Sequence, residues 1–249
     1  MDKSKARAEG ALIEAKAQAE IERLRAETAD FVLDREMRKT LNRNLIVAEA
    51  YKALPPPDQE VPKEAPSRDF IHNFFDEFDG VGDPEMQKIV GRLLAGEVVR
   101  PGSYHRKTLR VLRDLESGDF AQFTALCRFS WHFDQKRPLI FEVADPIYVE
   151  NGVSFSSCQH LDGLGLLQFL PVQMVQTSLP PSFTVTYGST PVSVNLAKGS
   201  GTLVIGHADF TIAGLQMANL TRAAIVPGFI DYVAGKWRAV GHTATVATP

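Results

Sequence analysis

Cysteine is scarce in this chain. Its 249 residues contain two, Cys127 and Cys158, and neither belongs to a CxxC pair. Two lone cysteines in a chain this long make no disulfide framework, and they point to a reducing, cytoplasmic setting. Long apolar runs are also missing. The most apolar stretch, LDGLGLLQFLPVQMV, is broken by Gly163, Gly165 and Pro171 and falls short of the roughly 18 apolar residues that span a bilayer. The first twenty residues, MDKSKARAEGALIEAKAQAE, hold no continuous apolar segment of the secretion-signal kind. Nor is there an excess of positive charge. The 27 Lys and Arg stand against 30 Asp and Glu, a net charge of -3, which argues against a generally basic nucleic-acid binder. The six histidines are scattered, with no HExxH or paired Cys/His spacing, so neither a metal site nor a cofactor is expected.

Proline is absent from Lys3 to Leu54, where Ala, Glu, Lys, Arg and Leu dominate and Gly10 is the only glycine. These are strong helix formers, and the stretch predicts one long helix. Ile13, Ile21, Leu24 and Phe31 form an apolar seam, with Ala17 and Thr28 filling it, at the three- and four-residue steps of a heptad. Met37, Leu41, Leu45 and Ala48 form a second stripe, and the change of phase between Val32 and Arg35 reads as a stutter or a change of partner. A helix so poor in large apolar groups needs a partner strand to bury its seam. A coiled coil over residues 1–54 is therefore expected, with homo-oligomerisation through Ile13, Ile21, Leu24 and Phe31.

Three prolines at 55–57 end the helix, and PPPDQEVPKEAP over 55–66 reads as an extended linker. Residues 67–136 then read as a helical domain. Ser67 or Asp69 caps a Phe-rich helix, Asp83 with Pro84 opens another, Ser103 a third, and a fourth runs through Phe120, Phe123 and Phe129 to Trp131 and His132. From 137 to 249 the texture is mixed. LIFEV and PIYVE are β-rich, SFSSCQHLDG is a short helix, FTVTYG and PVSVNL make a hairpin, TLVIGHADF is a strand, Thr211 caps a helix, and HTATVATP looks frayed. The expected fold is α+β, mainly α: a long N-terminal coiled-coil helix, a helical-bundle middle, and a small winged-helix-like α/β module.

Particular residues within this pattern carry a resemblance. A helix ends in Glu97, Arg100, Pro101, Gly102 and Ser103; the next carries Thr108 and Leu109; Phe123 points inward from the one after. Further on come Gly165 and Leu166, then Thr211, Gly214 and Leu220. Over roughly residues 83–225 the chain resembles the bacterial family called domain of unknown function 2806, and more distantly the abortive-infection alpha proteins. It departs from the pattern at Val90, where a bulky aromatic is expected. The resemblance implies no catalytic residues. It implies a setting in phage defence or prophage-encoded conflict, which is inference by association.

The remaining candidates for chemistry have plainer accounts. Cys158 and His160 form a Cys–His pair on paper, but residues two apart on a helix point to different sides. Asp76, Glu77 and Asp79 alternate with phenylalanines as a solvated acidic face. The GSGT at 199–202 is a turn. Arg106, Arg110 and Arg113 follow the spacing of one helix face. Together with the helix N-terminus at Ser103–Lys107 they make a partner- or anion-binding surface. The expected function is that of a non-enzymatic oligomeric interaction or effector protein in anti-phage defence, with itself and a further protein as partners. Two alternatives remain, a winged-helix DNA-binding regulator and a protein that associates with a membrane surface. Against the first, the helix SFSSCQHLDGLG has no Lys or Arg to meet phosphate or guanine.

Overall fold

In the computed structural model the described residues are 3–56, 64–221 and 223–247, with side chains from residue 16 onward. Helix α1 spans Lys3–Ala53. Its last turns lie on α3 (Pro84–Val99). The approach is close because Gly91 has no side chain: a Cβ there would stand 2.6 Å from Glu49 Cβ and 2.8 Å from the Ala50 backbone nitrogen. Ile46 and Ala50 are buried at this contact. Helix α2 (Arg68–Phe78) meets α1 about two turns earlier, where the Arg43 guanidinium lies 5.8 Å from the centre of the Phe75 ring. Asp79 at its end, itself buried, accepts from Arg43 at 3.0 Å and faces Lys39 at 3.4 Å, while Asn42 donates to the Asp79 carbonyl at 3.0 Å. Much of the linker, residues 57–63, lies outside the described residues.

Ser67 and Asp83 cap α2 and α3 through the hydrogen bonds their side chains accept from Phe70 and Met86, and Pro84 opens α3. Helices α4 (Arg106–Arg113) and α5 (Ser117–Cys127) follow. The cap of α4 differs from expectation, since His105 and not Ser103 precedes its first turn. The end of α5 differs too. The chain leaves the helix at Cys127 and enters β1 (Ser130–His132), so Trp131 and His132 sit on a strand that pairs with β2 (Lys136–Pro138).

The chain then makes α6 (Pro146–Val149), α7 (Phe155–Gly163), β3 (Leu167–Gln176), the hairpin β4 (Ser182–Tyr187) and β5 (Thr190–Asn195), and β6 (Leu203–Phe210). It closes with α8 (Ile212–Ala218), α9 (Phe229–Arg238) and β7 (Thr243–Val246). The hairpin forms where the alternating sequence places it. Two strand expectations fail. PIYV is a helical turn because Pro146 supplies the fixed φ of a first helical position. In LIFEV no regular strand forms, although the Ile140 carbonyl accepts from the His207 N–H at 2.7 Å. The expected frayed tail is also corrected, because β7 pairs with β5 from Thr243 to Val246. Among the described residues the strands form an antiparallel sheet in the order β2-β1-β4-β5-β7 and a separate antiparallel ribbon of β3 and β6. Trp131 stacks on Tyr187 and meets Trp237 edge-on at 5.5 Å, beside the buried Phe129, Tyr148 and Phe229. One buried cluster runs from Ile46 to Ala244, joining residues on both sides of the proline-rich segment.

The family-like motif residues turn out to be joints. Glu97 is buried, and its carboxylate accepts the backbone N–H groups of Gly102 (2.6 Å), Ser103 (3.0 Å) and Tyr104 (3.2 Å). A carboxylate paired with three backbone dipoles tolerates burial. Gln216 of α8 fastens the same loop, accepting from Thr108 and from the His105 N–H and donating to the Ser103 carbonyl at 2.6 Å. Thr211 caps α8 by accepting from the Gly214 N–H at 3.0 Å and donates to the Gly165 carbonyl at 2.6 Å. A Cβ at Gly214 would stand 1.8 Å from the Leu166 carbonyl oxygen, so only glycine lets α8 reach the end of α7. Gly214→Ala is therefore expected to destabilise the chain by roughly 2–3 kcal/mol, lowering the thermal midpoint by about 4–12 °C. Calorimetry checks this, and an unchanged midpoint would show that the joint has slack.

Candidate functional site

The interaction surface read from the sequence begins on α1. Ile21, Leu24 and Phe31 are exposed, at 44%, 51% and 63%. Ile13 belongs to the helix, but its side chain lies outside the described residues. With each residue turning the helix by about 100°, Ile21, Leu24, Thr28 and Phe31 share the side on which Asn42, Ile46 and Ala50 later meet α2 and α3. The first seam is thus the outward continuation of the face that docks on the body. The second stripe lies on another side, where Met37, Leu41 and Leu45 are exposed. The pair Glu20 and Arg23 closes at 2.6 Å, and Arg23 also faces Glu27 at 3.8 Å.

The arginine row lies on α4. Leu109 and Leu112, with Leu115 just beyond the helix, are buried, and the three arginines face outward. They are not equivalent. Arg113 bonds to Glu77 and lies 2.8 Å from Asp114, and both partners raise its pKa. Arg110 reaches Glu77 only at 3.9 Å and is 70% exposed. Arg106 makes no ion pair among the described residues. The loop N–H groups before α4, which sequence reasoning offers to an external anion, are engaged by Glu97 and Gln216.

The other candidates disperse. The acids of DEFD go three ways: Asp76 to His72, Glu77 to the arginines, and Asp79 inward to hold α1, so Asp79 is no part of a solvated face. Sequence spacing placed Asp79 with its neighbours; only the packing of α1 separates it. Cys158 is buried, and burial pushes its thiol up to about 12. His160 turns outward to Asp119 at 2.6 Å, and the bond to His160 is the main reason the Asp119 pKa is lowered. No three His, Cys, Asp or Glu converge on a metal position among the described residues. A cleft of about 340 Å³ beside α7 escaped sequence reasoning. Glu142, Phe155, Asp162, Phe169 and His207 line it, and His207 Nδ1 bonds to the Leu170 carbonyl at 2.9 Å. Its residues come from four separate segments, and no local motif marks them.

Exposed ion pairs contribute about 0–1 kcal/mol each. Reversing both Arg106 and Arg110 to Glu is therefore expected to leave the thermal midpoint within about 3 °C of the parent. A fall well beyond that would make the row an internal brace and not a free surface.

Among the described residues no helix is long and apolar enough to cross a membrane. Neither a curated protein nor a solved structure matches the chain. A family model described as protein of unknown function, DUF2806, matches residues 23–234. The match starts in the exposed half of α1, takes in every joint described above, and ends within α9. By that coverage the chain belongs to the DUF2806 family of proteins of unknown function.

Proposed function

We propose that this protein acts by contact and not by catalysis, as a self-associating adaptor or effector subunit whose α1 pairs with α1 of a second copy. The single observation that carries this reading is the exposed Ile21, Leu24 and Phe31 on the face that the body itself buries further along the same helix. An isolated helix of this kind would be marginal in water, and a second copy supplies the missing cover. The charges suit self-pairing: from Lys16 to Lys52 the helix carries eight basic and seven acidic residues.

The pairing we infer is antiparallel. A partner helix laid along this face meets the body where Asn42, Ile46 and Ala50 are covered. In a parallel pair each helix would run into the other's body. An antiparallel pair centred between Glu22 and Arg23 avoids the collision. It sets Ile21 against the partner's Leu24 and Ala17 against the partner's Thr28. Such a pair is the form of coiled coil this reading requires.

The arginine row on α4 serves, in the same reading, as the face for a further protein partner. The setting would be the bacterial cytoplasm and the conflict with phage. A winged-helix DNA-binding role is less well supported. The hairpin β4–β5 is flanked by β1 and β7, and α7 presents Asp162 beside Glu142, which would repel phosphate.

The test is light scattering at micromolar concentration on the full chain and on a variant with Leu24→Glu and Phe31→Glu. Both positions are exposed, so the body should fold in either. The parent is expected to be a dimer and the variant a monomer. Equal masses for the two would remove the reading.

A further inference from the structure

Between the end of α5 and the β1–β4 edge lies a cavity of about 190 Å³, lined in part by Cys127, Arg128, Ser130, His132, Lys136 and Thr221. Among the described residues no Asp or Glu is in its walls. Lys136, half-buried at the start of β2, has no carboxylate partner among the described residues. Its ammonium donates to the Ala218 carbonyl at 2.9 Å, which uses one of three donors. Thr221 donates to the same carbonyl at 2.9 Å. The Ser130 hydroxyl is buried in the cavity wall and has no hydrogen-bond partner among the described residues. Arg128 donates through Nε to the Ala224 carbonyl at 3.3 Å, which leaves the ends of its guanidinium free to turn to the cavity. The thiol of Cys127 cannot serve as counter-ion, because burial pushes it up to about 12 and keeps it neutral.

A half-buried ammonium without an anion is an unusual expense for a fold to carry. Burial lowers the Lys136 pKa. A buried hydroxyl with no partner among the described residues, in the wall of the same cavity, is a second donor waiting for an acceptor.

We propose that this cavity binds a small, doubly charged oxyanion of the phosphate class, held by the Lys136 ammonium, the Arg128 guanidinium and the Ser130 hydroxyl, with His132 at the rim. Two strong cations and no acid favour a dianion over a single carboxylate. The volume lies below the roughly 300 Å³ at which pockets for drug-sized ligands begin, and it suits an ion or a small monoester. The site is independent of the α1 surface and of the reading built on it.

Phosphorus NMR and calorimetric titration of the full chain test this, with chloride holding the ionic strength constant. The probes are inorganic phosphate and glycerol phosphate. Saturable binding is expected, tighter for the first if the free ion is the ligand and tighter for the second if a phosphorylated small molecule is. Lys136→Gln should weaken binding at least tenfold, and Ser130→Ala several-fold. Without ligand, Lys136→Gln should keep or raise the thermal midpoint, because it removes an unpaired charge. Absence of saturable binding by the parent, or equal affinity in Lys136→Gln, overturns the proposal. If that variant does not fold, unchanged affinity in Ser130→Ala overturns it.

Discussion

The architecture depends on how closely α1 approaches α3 at Gly91. The α3 backbone at Gly91 lies directly against Glu49 and Ala50 of α1, and about two turns earlier Asp79 holds the same helix through Lys39, Arg43 and Asn42. This fixes one end of a 51-residue helix in the core through Ile46 and Ala50. The rest, from residue 3 to residue 38, extends about 54 Å at 1.5 Å per residue. Few intrinsic terms favour such an unsupported length. The exposed apolar face and the fixed end are thus two consequences of one helix having a single periodicity and a body that covers only part of it.

Much of this was legible in the sequence because the governing signals are local. The prolines at 55–57 end α1; Ser67, Asp83 and Thr211 cap helices through bonds three residues long; and the alternation in FTVTYG and PVSVNL makes a hairpin. The failures share a cause as well. PIYV looks like a strand by residue type, yet Pro146 favours a helical first turn. Thr243–Val246 looks like a loose tail until β5 offers its edge, a partner about fifty residues away. DEFD reads as one acidic face, and only the arrival of α1 draws Asp79 inward. The cavity around Lys136 and the cleft around His207 gather residues from distant segments, so no window of sequence contains them.

The residues that carry the family resemblance are also explained by packing. Glu97 holds a loop by its N–H groups, Thr108 bonds to Gln216 of α8, and Gly214 allows α8 to touch Leu166 just beyond α7. Each makes a contact that joins two segments of the body. A family recognised by such residues is recognised by its fold. Contacts with other molecules must then be sought on surfaces the joints leave free, among them the projecting face of α1, the outer side of α4 and the cavity at Lys136.

The most direct measurement is the distance between spin labels on two copies of the chain, with a cysteine placed at Glu22 in one preparation and at Arg38 in another. Cys127 and Cys158 are buried, so labelling should be selective. Antiparallel pairing about residues 22 and 23 puts the two labels at position 22 almost level. It separates those at position 38 by about 46 Å along the helix axis, at 1.5 Å per residue. A short distance at 22 and a long one at 38 is the result the account predicts. Short distances at both positions would mean a parallel pair, and no intermolecular coupling at either would mean that a second copy does not cover α1.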